Sequence, residues 1–255
     1  YFRGDYESAR HLYLEAVQIR RSVLAHDHLD VGATLFNMGQ AYHQLGRLED
    51  AIKYYREFLV IAKKKLGHSH HDIAVTLRSM AQVHYELKVF DQAIALYQEA
   101  ISIHRENNQD QPELASILNK LGNIFFEKGD LDSAIEVYEQ GLAVEQKILD
   151  PLHPNIIVTF TNLGQIYKHK GDLDNAIRVY QEALHIQRQS MTAYHSSIAV
   201  TLSSLGLLYY QNQDFTTALD RYQESLIIRR RNNGENSRGQ SQFHWSCSLQ
   251  NALPR

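Results

Sequence analysis

The sequence predicts an all-α protein, a solenoid of antiparallel helix pairs, and three observations carry that prediction. The stretch LGNIFFEKGDLDSAIEVY at Leu121–Tyr138 is written again at Leu163–Tyr180 as LGQIYKHKGDLDNAIRVY, with twelve of eighteen positions identical. The same frame returns at a fixed period, its small residues Gly39, Ala81, Gly122, Gly164 and Gly206 standing 42, 41, 42 and 42 apart. Within a copy, apolar residues recur at three and four, as in Leu35, Met38 and Tyr42 and then Leu48, Ile52, Tyr55 and Leu59, which is the helical period and not the strand period. Units repeated in this way cannot bury their apolar faces alone and must stack on neighbours.

Taken in order, residues 1–30 supply a partial repeat, mainly its second helix, marked by Ala9 and Tyr13. Five tandem repeats follow over residues 31–233. Each second helix carries an alanine (Ala51, Ala93, Ala134, Ala176, Ala218) and, four residues on, a tyrosine (Tyr55, Tyr97, Tyr138, Tyr180, Tyr222). Small residues suit the place where two helices approach closely, and the tyrosines are expected to fill space against the next pair. Between the helices of a pair, Gly46, Gly129 and Gly171 can take the left-handed conformation that ends a helix. Asp130 and Asp172 then offer oxygens to the next helix's unpaired N–H groups. At the junctions between repeats the expected caps are Asp30, Asp72, Asn155 and Ser197, with Asp110 and Pro112 starting the helix of the 41-residue step. Residues 234–255 break the frame, and Trp245, Leu249 and Leu253, four apart, make this irregular tail a candidate cap over Leu219, Leu226 and Ile227.

Composition narrows the function classes. The 29 acidic and 26 basic residues leave a formal charge of −3, so no global basic field exists to hold a nucleic acid or an anionic membrane. One cysteine, Cys247, cannot form an internal disulfide framework, which fits a reducing, cytoplasmic setting. No run reaches the roughly 18 apolar residues of a membrane span. The chain begins without Met and mid-pattern, and is expected to be a fragment.

The columns Leu163-Gly164, Tyr167, Ala176, Tyr180 and Ala183 resemble the tetratricopeptide repeat, and the resemblance extends over roughly residues 1–231. The 42-residue period and the junctions LGHSHHD (Leu66–Asp72) and LDPLHPN (Leu149–Asn155) are similar to those of the kinesin light chain-like subfamily. The resemblance implies a right-handed superhelix whose first helices line a concave groove that receives peptide or helical segments of other proteins. It also implies two narrower uses. One is a regulatory or architectural arm of a larger enzyme or signalling protein; the other is a kinesin light chain-type cargo adaptor, whose kinesin heavy chain or cargo-adaptor partners require an upstream coiled coil. The family's chaperone-tail clamp wants a Lys and Asn on one first helix and an Asn on the next, whereas here Arg78 and Gln82 are followed by Lys120.

Groove candidates are first-helix positions outside the packing columns: Asn37, Gln40 and Gln44; Arg78, Gln82 and Tyr85; Asn119, Asn123 and Phe126; Asn162, Gln165 and Lys168; Ser204 and Tyr210. Amides suit an extended peptide because each offers both donor and acceptor to a backbone. Phe126 and Tyr210 are the expected apolar contact points. No cofactor and no metal is expected: His68, His70 and His71 cluster in a turn without a further converging ligand. Arg229–Arg231 complement a helix C-terminus. Glu57, Glu99, Glu182 and Glu224 recur at one repeat position, as a solvated outer face would produce. No phosphate loop or nucleophile elbow appears, so the chain is expected not to be an enzyme.

Overall fold

The computed structural model describes residues 3–107 and 112–232. Within them stand α1 (Arg3–Val23), followed by five pairs: α2 (Leu29–Gln44) with α3 (Leu48–Leu66), α4 (His71–Glu86) with α5 (Phe90–Glu106), α6 (Pro112–Glu127) with α7 (Leu131–Ile148), α8 (Pro154–Lys170) with α9 (Leu173–Ser190), and α10 (Ser196–Gln211) with α11 (Phe215–Asn232). No strand occurs among the described residues. The expected cap Asp110 and the tail, with Trp245, Cys247, Leu249 and Leu253, lie outside them. The chain forms two compact units, Tyr1–Asp150 and Pro151–Arg255.

In the first unit each helix packs on the next from α1 through α7, so α3 and α5 each touch both their own first helix and that of the following pair. Val31, Leu35, Met38, Ile73, Leu77, Ile117, Leu118 and Ile124 fill the interior completely. In the second unit α8 to α11 pack in the same way around Ile156, Leu163, Ile166, Leu202 and Leu208.

The small column and the tyrosine column meet inside each pair, which corrects the expectation that the tyrosine ring faces the next one. A β-carbon on Gly39 would stand 2.6 Å from the Tyr55 ring, one on Gly122 2.5 Å from Tyr138, and one on Gly164 2.5 Å from Tyr180. The hydroxyl, by contrast, leaves the pair where a partner is offered: Tyr55 reaches Ser79 and Tyr180 reaches Ser204, each on the next first helix. At Gly39, Gly122 and Gly164 the ring occupies the space a side chain would take, whereas α4 carries Ala81 at the same position.

Turns between paired helices follow the expected chemistry. Gly46, Gly129 and Gly171 hold φ of 75, 79 and 81°, and Lys88 and Gln213 take the same left-handed turn at 60 and 63°. Asp130, Asp172 and Asp214 accept from the backbone N–H of Ser133, Asn175 and Thr217 at 3.1 Å, capping α7, α9 and α11. Side-chain hydrogen bonds from the same three residues, with these backbone bonds, hold all three carboxyls below the usual aspartate range.

The junctions between pairs are capped differently from the expectation. The caps are His28, His70, His153 and His195, whose Nδ1 atoms accept from the backbone N–H of Asp30, Asp72, Asn155 and Ser197 at 3.2, 3.2, 3.2 and 3.3 Å. Those four residues, expected as caps, are instead the donors two positions on. The histidine column thus has a structural use, and among the described residues no group of His, Cys, Asp and Glu could hold a metal ion.

A second unforeseen column ties successive second helices together. Arg21 pairs with Glu57 at 2.8 Å, Lys63 with Glu99 at 2.8 Å, and Arg188 with Glu224 at 2.5 Å, while Arg105 donates to Gln140 at 2.7 Å. Glu57, Glu99 and Glu224 are therefore rungs between pairs and not merely a solvated face. Leu219, Leu226 and Ile227 on α11 are exposed, whereas Leu59 and Leu184, which match Leu226 in earlier repeats, are buried.

Candidate functional site

The first unit carries a cleft of about 500 Å³ on the face of its first helices. α2 contributes Asn37, Gln40, His43 and Gln44, α4 contributes Arg78, Ser79 and Gln82, and α6 contributes Lys120. α1 closes one end with Tyr6, Ala9 and Tyr13. Of the sequence-expected groove residues, Asn37, Gln40, Gln44, Arg78 and Gln82 thus line one cavity. Lys120, Ser79 and the aromatic wall of α1 were not among the candidates. Lys120 stands two residues before Gly122, in the column that holds Asn37, Asn162 and Ser204 in other first helices, and that register is the signal that could have found it.

Polar contacts order the floor. Lys120 Nζ donates to Gln82 Oε1 at 2.9 Å, reaching back from α6 to α4. Gln82 Nε2 donates to Glu86 Oε1 at 3.0 Å, and the His43 ring nitrogen lies 3.0 Å from both Glu86 oxygens. Burial alone would push the Glu86 carboxyl up, but hydrogen bonds from Gln82 and His43 prevail and hold it below the usual glutamate range. Glu86 is therefore engaged from two sides, and among the described residues no carboxylate lines the cleft. Arg78, half-buried, makes no ion pair with any described residue.

The remaining candidates in the first unit lie outside this cleft. Tyr85 donates to Glu127, a contact that pushes its hydroxyl up to about 12, and Lys88 lies over the Tyr85 ring while pairing with Glu127 at 2.8 Å. Asn119 is turned inward: its Nδ2 donates to the buried Glu145 at 2.9 Å. Asn123 accepts the Tyr138 hydroxyl proton at 2.6 Å. Both amides are thus engaged within their own pair, Asn119 half-buried and Asn123 exposed. Phe126, expected as an exposed contact point, is half-buried.

In the second unit Gln165 is exposed, and Asn162, Lys168 and Ser204 are half-buried. Ser204 is engaged by Tyr180. Tyr210 is 58% exposed and meets Phe215 edge-on, with ring centroids 5.5 Å apart. Of the basic run at the end of α11, Arg229 donates to Ser203 at 3.1 Å and Arg231 lies 3.7 Å over the Tyr194 ring. Those contacts tie the helix end to the preceding junction and first helix.

Fold and cleft together define a helical-repeat protein built from stacked helix pairs. Residues 2–154 match the MalT-like TPR region model, and residues 158–190 and 198–238 match two tetratricopeptide repeat models. The chain belongs to the tetratricopeptide repeat family. Among solved structures it is similar to BtubC (BKLC) from P. vanneervenii, at 23% identity and a TM-score of 0.71 over 93% of this chain and 96% of that one. It is also similar to a Podosopora anserina protein described as a kinesin light chain with nearly identical TPR-like repeats, at 18% identity and a TM-score of 0.68 over 80% and 98%. A third likeness is MamA from Desulfovibrio magneticus RS-1, at 16% identity and a TM-score of 0.59 over 81% and 97%. No curated protein matches the chain. Among the described residues no helix is long and apolar enough to cross a membrane.

Proposed function

We propose that the chain is a non-catalytic, cytoplasmic protein-interaction module that seats an extended segment of a partner protein in the cleft of its first unit. The observation that carries this reading is the cleft's lining: Asn37, Gln40 and Gln44 of α2 line one cavity together with Tyr6 and Tyr13 of α1. Amides pair with a peptide backbone in either sense, and tyrosine rings supply apolar contact with a polar edge. A regulatory arm of a larger protein and a cargo adaptor of the kinesin light chain kind would both use the cleft in this way.

Photo-crosslinking tests the reading. A benzophenone side chain at Gln40 or Gln44 should capture peptides from a random-sequence pool, and one at Val60, exposed on α3, should not. Capture at Val60 equal to that at Gln40 would refute the assignment. In the same assay Asn37→Ala combined with Gln40→Ala should weaken capture by about tenfold while leaving helicity unchanged.

A further inference from the structure

We infer that the cleft of the first unit recognises a phosphorylated side chain on the partner segment, an inference that rests on the peptide-binding reading given above. Two cations enter one cavity. Arg78 stands on α4, and Lys120 bends back from α6 to donate to Gln82, one helical turn beyond Arg78. Both are half-buried, and among the described residues no carboxylate lines the cavity they share. The one acid beside the floor, Glu86, is held by His43 and Gln82. Glu86 acts on Lys120 from beside the cleft without lining it, so an anion that enters from outside meets both cations with no competing described carboxylate in the cavity.

Charge balance selects among anions. A carboxylate side chain would neutralise one of the two cations. A phosphoryl group carries close to two negative charges at neutral pH and three acceptor oxygens. The Arg78 guanidinium can take two of those oxygens with its planar fork, and the Lys120 ammonium can take the third as a point charge. The amides of Asn37 and Gln40, on the facing first helix, are left for the backbone on either side of the modified residue. Phosphoserine or phosphothreonine on a protein therefore fits the donor set better than aspartate or glutamate does.

Fluorescence anisotropy tests this with three labelled peptide pools whose flanks are randomised and whose centre is phosphoserine, serine or glutamate. The phosphoserine pool should bind at least about tenfold more tightly than either of the others. Arg78→Ala and Lys120→Ala should each remove about that advantage, and Arg78→Lys should restore part of it, because charge returns without the fork. Thermal melts establish that each variant is folded. Inorganic phosphate should compete with the phosphoserine pool. Equal binding of the phosphoserine and glutamate pools would overturn the inference, as would affinity indifferent to both substitutions. If the serine pool binds as well as the phosphoserine pool and responds to Asn37→Ala with Gln40→Ala, the peptide-binding reading stands and the phosphate inference falls. If no pool binds, both fall. A single-stranded oligonucleotide that binds as tightly as the phosphoserine pool, and loses binding with Arg78→Ala, would overturn the assignment to a protein partner.

Discussion

The ring of Tyr138 fills the space a β-carbon on Gly122 would need, with Cδ2 2.5 Å from that position. The neighbour is a rigid, fully buried ring and not the end of a flexible chain, so it cannot swing aside. Gly122→Ala should therefore destabilise the first unit by about 1–3 kcal/mol, the range of overpacked cores. At Gly206 the same β-carbon would stand 3.0 Å from Tyr222, a ring that is 40% exposed and can retreat. Gly206→Ala should cost distinctly less. Urea denaturation of the two variants checks the contrast, and equal losses would show that the ring contact is not what requires glycine.

That contrast also shows what the sequence made legible. The repeat period displayed every helix, because a column occupied at a constant step can be read without knowing what it touches. The glycine and tyrosine columns were visible in this way, but their meeting was not: a spacing of sixteen between Gly122 and Tyr138 crosses a turn, and only the paired helices bring it to contact. The histidine caps were missed because Asp30, Asp72, Asn155 and Ser197 are themselves good capping types and stand two residues away. The rungs such as Lys63–Glu99 join different repeats, so no single copy displays them. At the site, Asn37, Gln40 and Gln82 could be read as first-helix positions free of packing. Asn119 and Asn123 look identical in sequence, yet packing inside their pair engages them.

Gln213 occupies a turn position that glycine fills in three other pairs, with φ of 63°. A side chain in that region costs about 1–2 kcal/mol, offset in part by the extra chain entropy that glycine loses on folding. Gln213→Gly should accordingly raise stability by about 0.5–1 kcal/mol. Lys88 has the same backbone but also pairs with Glu127 and covers the Tyr85 and Phe90 rings, so Lys88→Gly should show little or no gain. Differential scanning calorimetry distinguishes the two, and a Gln213→Gly variant that melts lower would refute the turn argument.

His195 caps α10 through Nδ1, which accepts from the Ser197 N–H at 3.3 Å. Removing a cap acceptor costs about 1 kcal/mol, so His195→Ala should lose about that much. His195→Asn places a side-chain oxygen at a similar reach and should recover most of it. If alanine and asparagine prove equivalent in thermal melts, the ring's packing, and not its acceptor, is what matters at this column.

His84 is buried on α4 with no hydrogen-bond partner at either ring nitrogen among the described residues. Burial, reinforced by the nearby Arg56 charge, holds its pKa below the usual histidine value. The folded state therefore binds this proton more weakly than the unfolded state does. Its contribution to stability is complete above the unfolded value of about 6.5 and is lost as pH falls through that value toward the lower folded one. His104 on α5, also buried and facing His71, Arg78 and Glu113, is lowered in the same sense and adds to the slope. His84→Leu removes both the titration and an unsatisfied polar ring, so at pH 8 the variant should be more stable than the wild type by about 1 kcal/mol. Its advantage should widen as pH falls from 7 to 5, because only the wild type must then hold His84 neutral against protonation. Urea midpoints measured across that range for the two proteins give the difference directly, because every other residue is common to both. A gap that stays constant with pH would mean that His84 is not held neutral by the fold.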